Sequence, residues 1–204
     1  MPTSAFRGPD LIRKLRSVLA VVIAFTGALS KPAQAQTLRV LHNFTNGQDG
    51  SLPVVGLTID RNGNLFGTTL EGGYTGGGCG SGCGVVFKLS PRGSTWIFTP
   101  LYDFQGGTDG ASPWARVILG PAGALYGTTL GGGVGSGIVF KLTIPPSICK
   151  TALCAWRETV LYRFAGGGDG QSPEGDLIFD QAGDMHGTTA EPKLRAMNTL
   201  QAKY

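Results

Sequence analysis

Three stretches decide how this chain is to be read: "FTNGQDGSLP" at Phe44 to Pro53, "FQGGTDGASP" at Phe104 to Pro113 and "FAGGGDGQSP" at Phe164 to Pro173. Each begins 60 residues after the one before, and the same interval governs the sequence on both sides. Leu41, Leu101 and Leu161 precede them. Gly63, Gly123 and Gly183 follow, then the "GTT" triplets that begin at Gly67, Gly127 and Gly187. Self-similarity at one long period marks a repeat architecture, in which each unit buries its apolar face against the next.

Within a repeat the pattern is that of short strands. "GLTID" (56–60) and "NLFGTTL" (64–70) flank the turn "RNG", and "RVILG" (116–120) and "ALYGTTL" (124–130) flank "PAG". Turn residues between β-rich runs predict hairpins. A glycine-rich connection then leads to "VVFKLS" (85–90) or "IVFKLT" (138–143), and a fourth run starts at Trp96 or Trp156 and ends in "LYDF" or "LYRF". No sustained helical period occurs between the N-terminal apolar run and residue 190. The predicted fold is all-β, made of β-propeller-like four-stranded repeats over about 41–100 and 101–160, with a partial third over 161–190. "LRVLHNF" (38–44) reads as the last strand of a repeat, and the third repeat has only "GDLIFD" and "DMHGTTA" before "EPKLRAMNTLQAKY" at 191–204. About two and a half blades are too few to close a propeller of four to eight.

The first residues read as an export signal. Arg7, Arg13, Lys14 and Arg16 precede the apolar run "SVLAVVIAFTGALS" (Ser17 to Ser30), and "AQA" at Ala33 to Ala35 places small residues where a signal peptidase inspects them. The expected boundaries are a signal peptide at 1–35, the repeat region at 36–190 and a non-repeat tail at 191–204. The apolar run is shorter than the roughly 20 residues of a membrane span, so no stable span is expected after cleavage. The chain has 17 Lys+Arg and 13 Asp+Glu, but five of the bases and one acid lie before Gln36, leaving 12 of each. A balanced mature chain gives no support for a nucleic-acid or anionic-membrane partner. Export to the cell surface or medium permits disulfides. Cys79 with Cys83 and Cys149 with Cys154 do not match the common zinc spacings. Two local disulfides are expected in preference to free thiols or a metal site, each contributing about 2 kcal/mol because the loops they close are short.

Taken together, "LYxFxGGxDGxxP", "GxLYGTT", the glycine-rich loop and "VFKL" resemble the GloVer tandem repeats of exported bacterial proteins, across about residues 38–190. The resemblance implies a secreted or surface location and a propeller-like repeat fold. It implies no activity.

Candidate functional residues are few. Asp49, Asp109 and Asp169 each precede a glycine, and the expected role is a carboxylate that accepts bonds from nearby amides while the glycine takes a positive φ. The sharper alternative is calcium, the one cofactor these oxygen ligands suggest, although each turn offers a single acid. Trp114, whose counterparts are Val54 and Glu174, is a candidate for stacking on a sugar. Phe44, Phe87, Phe104, Phe140 and Phe164 are expected in the core. His42 and His186 stand where other repeats have aromatic residues and read as structural substitutions. No catalytic residue is assigned, and the glycine runs lack the "GK[ST]" of a phosphate loop. Antiparallel blade topology places the inter-repeat turn and the glycine-rich loop on one rim. The expected function is an exported binding or structural module for a cell-surface or polysaccharide partner, with homo-oligomers completing the propeller. The alternatives are a truncated fragment of a longer repeat protein, and a carbohydrate-active enzyme on a propeller scaffold that would gather non-repeated acids on the glycine rim.

Overall fold

The computed structural model describes residues 37–144 and 156–190, so the expected signal peptide, the expected Cys149–Cys154 disulfide and the expected non-repeat tail lie outside the described residues. The chain divides into Met1–Arg39 and Val40–Tyr204, and the second unit holds every element described below.

Strands β1 (Thr58–Ile59), β2 (Leu65–Thr69), β3 (Val85–Arg92) and β4 (Thr95–Asp103) form one antiparallel sheet in chain order. A second sheet repeats it with β5 (Ile118–Leu119), β6 (Leu125–Thr129), β7 (Ile138–Thr143) and β8 (Arg157–Arg163). The third repeat contributes the hairpin β9 (Ile178–Phe179) and β10 (Met185–His186). The registers Thr58 to Phe66, Ile118 to Tyr126 and Ile178 to His186 carry the same period into space. The protein is all-β, with two full sheets and a partial third among the described residues, as an incomplete propeller-like repeat fold requires.

Local chemistry sets the hairpins. In the first repeat, Asp60 accepts the amides of Asn62 and Asn64 and the Asn64 side chain. Asp180 does the same in the third with the amides of Ala182 and Asp184. The second repeat has Gly120 at this place and turns instead through a 3₁₀ segment, Pro121–Gly123, whose proline presets φ. Both full sheets carry a bulge at the same point, where Val86 faces Tyr102 but Phe87 faces Pro100, and Val139 faces Tyr162 but Phe140 faces Val160. The carbonyl of the bulged Leu101 leaves its own ladder and accepts the Trp156 amide of the next repeat at 2.9 Å.

Repeats are joined through their faces. Phe104, which ends the first repeat, stands edge-on to Phe140 at 5.1 Å, and both are fully buried. The glycine of "GTT" makes room for this ring, since a Cβ on Gly127 would lie 2.6 Å from Phe140 Cζ. Above the aromatic layer, the Thr68 hydroxyl reaches the Ala115 carbonyl and the Thr128 hydroxyl the Pro173 carbonyl, each in the following repeat. The Ser112 amide donates to Cys83 and that of Ser172 to Ser136 in the preceding repeat.

One expected strand does not form. Residues 38–44 carry no strand and pair with no ladder among the described residues. Phe44 nevertheless packs at 5.2 Å from Phe87, the counterpart of the Phe104 contact, and is only half-buried because one of its sides is open. Phe104→Ala should therefore cost about 3–5 kcal/mol of stability, whereas Phe44→Ala should cost roughly half as much. Urea titration of the two variants measures the difference, and equal losses would contradict the packing described.

Candidate functional site

The inter-repeat turn and the glycine-rich loop meet on one rim. Ser51 bridges to Glu71 and Ala111 to Gly131, and the Gly73 amide donates to the Gly47 carbonyl at 2.8 Å. Cys79 and Cys83 form a disulfide inside this loop. Its sulfurs lie against Gly106 of the neighbouring turn, where a Cβ would come within 3.1 Å of both. The loop is thus stapled and seated on the turn, with the Tyr74 amide bonded to Asp103 at 2.8 Å.

Each aspartate of the repeated turn is engaged by its own segment. Asp49 accepts the amide and hydroxyl of Thr45 and lies 3.0 Å from His42 Nε2. Asp109 accepts the Gln105 amide and the Tyr102 hydroxyl, and Asp169 the Ala165 amide and the Tyr162 hydroxyl. His42 therefore does what the tyrosines do in the other repeats. The following glycines Gly50, Gly110 and Gly170 all have φ between 83° and 101°. Burial raises Asp49, but the bonds from Thr45 and His42 outweigh it and hold the group low. The Ala165 amide and the Tyr162 hydroxyl likewise hold Asp169 low against partial burial. Among the described residues no three His, Cys, Asp or Glu side chains converge as a metal cluster would.

His186 stands on the third hairpin, 3.0 Å from Asp180, far in sequence from His42 and bonded to a different acid. The two histidines form no acid–base pair.

Two places break the repeat. The first is the segment entering each sheet, where burial alternates: Pro113, Ala115 and Val117 are buried, while Trp114 and Arg116 are exposed. The counterparts of these two are Val54 and Gly56 in the first repeat, Glu174 and Asp176 in the third. Arg116 and Asp176 join the second and third repeats through a pair at 2.9 Å, which the Arg116 amide reinforces with a second bond to the carboxylate at 2.9 Å. An exposed indole thus lies two residues from a paired guanidinium.

The second break is Glu158, which replaces Phe98 of the first repeat. Phe98 stacks on His42 at 4.2 Å. Glu158 instead faces the Asp109 carboxylate, while Glu158 Oε1 is buried without a hydrogen-bond partner. Burial pushes Glu158 up to about 8, and the adjacent Asp109 carboxylate adds to the shift. Sequence reading passed over Glu158 because it sits on a strand among polar neighbours. The signal that finds it is its Phe counterpart.

The model of the Gloeobacter/Verrucomicrobia repeat family matches residues 25–196. A search of curated proteins finds no match.

Glu158 holds its proton more tightly in the folded state than in the unfolded chain, where its value is near 4.5. Its contribution to stability is therefore full below that value and is lost as pH rises toward 8. Thermal melts from pH 5 to 8 should show Glu158→Gln gaining on the wild type as pH rises. Parallel curves would remove the acid pair from the account.

Proposed function

The chain belongs to the Gloeobacter/Verrucomicrobia repeat family, and we propose that it is an exported binding module which presents Trp114 and its polar neighbours to a polysaccharide at the cell surface. The observation that carries this reading is the exposed Trp114 beside the Arg116 and Asp176 pair, at the positions where an otherwise uniform scaffold diverges. An indole face covers the C–H face of a sugar ring, while guanidinium and carboxylate groups bond its hydroxyls. Hydrogen-bonded sheets beside a disulfide-stapled loop hold such groups at a reduced ordering cost on binding.

Export supports the same reading. The Cys79–Cys83 disulfide belongs to the chemistry of an oxidising compartment. The basic and apolar segments before Gln36 have the order of a signal peptide. N-terminal sequencing of the protein recovered outside the cytoplasm should begin at Gln36, and an intact Met1 would refute the cleavage.

Binding is tested by affinity gel electrophoresis in neutral and acidic soluble polysaccharides. At least one should retard the protein, and Trp114→Ala should weaken that retardation by roughly 2–10-fold, the worth of one aromatic contact. No retardation in any polysaccharide, or full retardation of the variant, would overturn the proposal.

A further inference from the structure

The contact between successive repeats is built twice within the chain, and the parts it uses are the same each time. One half is a groove formed by the segment entering a sheet together with its third strand. The other half is the first hairpin of the repeat before it. At the first junction the Thr58 hydroxyl bonds the Val117 carbonyl, the Thr68 hydroxyl reaches Ala115, and Pro113 closes over Gly84. At the second, the Thr128 hydroxyl bonds Pro173, which closes over Gly137, and Tyr126 meets Phe179 at 5.1 Å.

Among the described residues, each half also occurs once without its complement. The first repeat has the groove, open and lined by Leu41, Phe44, Pro53, Leu57, Phe87 and Leu89, with a volume of about 320 Å³. Leu57 is 42% exposed there, while its counterparts Val117 and Leu177 are 0% and 1% exposed under the repeat before them. Pro53 is exposed, whereas Pro113 and Pro173 are buried. At the other end, the third repeat has the hairpin. Thr68 and Thr128 are buried at 2% and 1%, but Thr188 is exposed and Ile178 is 63% exposed. The Leu52 carbonyl bonds Leu70 as the carbonyls of Ser112 and Ser172 bond Leu130 and Ala190. The amides of those serines bond the preceding repeat. The groove and the hairpin are open halves of one interface, already shown twice to be self-complementary.

We propose that the groove of the first repeat is occupied by the third-repeat hairpin of a second copy of this chain. Pro53 and Leu57 then lie under the hairpin that carries Ile178 and Thr188, continuing the stacking found inside the chain. Because the two surfaces differ, the contact is head-to-tail. A reciprocal pair of copies brings together four full sheets and two partial ones, within the four to eight blades that close a propeller. This proposal is independent of polysaccharide binding, which uses Trp114 outside the groove.

The test is light scattering after size exclusion of the full chain expressed in cells, across a hundredfold range of concentration. The wild type should have twice the chain mass. Leu57→Arg and Pro53→Arg, on the groove, and Ile178→Arg, on the hairpin, should each give monomers. Ile97→Arg, a control at a position where the second repeat already has Arg157, should leave the dimer intact. Mixing Leu57→Arg with Ile178→Arg should restore a dimer, since one variant keeps the hairpin and the other the groove. That recovery also shows that both variants are folded. A monomeric wild type would overturn the proposal, as would dimers that survive all three substitutions or a mixture that stays monomeric. In the last two cases another surface, or the chain's own terminal residues, would be the occupant.

Discussion

The structure depends first on Phe104 standing edge-on to Phe140 across the junction of the two full sheets, and at the next junction Phe164 packs with Leu177 and Met185 of the third repeat. A four-stranded sheet of this size has two faces and cannot cover either by itself. Each repeat therefore ends by sending a ring across to the next. The "GTT" glycine is empty because the partner ring occupies the volume its side chain would take. The two threonines after it divide the remaining work. The second of them, Thr69 or Thr129, bonds within its own rim, to Glu71 or Gly131, and the first reaches the following repeat. One five-residue strand thus serves as ring seat, rim anchor and inter-repeat tie, which explains why its sequence varies so little along the chain.

Much of the fold was legible because this economy is written at fixed intervals. Periodicity identified the sheets, their strand order and the shared rim. What it could not show were features that depend on pairing. The bulge at Leu101 and Leu161 leaves no mark in the residues themselves, yet it frees the carbonyl that ties β4 to the next sheet. Leu52, Ser112 and Ser172 precede prolines but have φ of 50° to 56°. Sequence alone favours extended backbone before proline. Here the positive φ lets the serine amide and carbonyl serve two different repeats, and two hydrogen bonds outweigh the local strain.

The candidate site was legible to a different degree. Asp49, Asp109 and Asp169 could be read as turn residues from Asp-Gly alone, and their bonds to the amide four residues earlier follow from local geometry. Their second partners, His42, Tyr102 and Tyr162, are seven residues away and became evident only once the chain had turned back. Trp114 stood out through its unlike counterparts. The Arg116 and Asp176 pair did not, because it joins positions one full period apart that no local pattern connects.

Such divergence has a physical logic in a repeat protein. Positions that face a neighbouring repeat are constrained by both, so they return to the same residue or the same volume. Val117 and Leu177 illustrate this under their covers. Positions turned away from every neighbour, such as 54, 114 and 174, have no partner to satisfy and are free to become Val, Trp and Glu. Glu158 is the instructive exception. It faces a neighbour, replaces an aromatic ring with a buried acid, and leaves Oε1 without a bond. A buried acid whose proton is lost as pH rises toward 8, within an architecture whose stability is a sum over junctions, makes the contact between the first two repeats sensitive to pH. The first junction is then the point at which this otherwise uniform stack separates from its neighbours in behaviour.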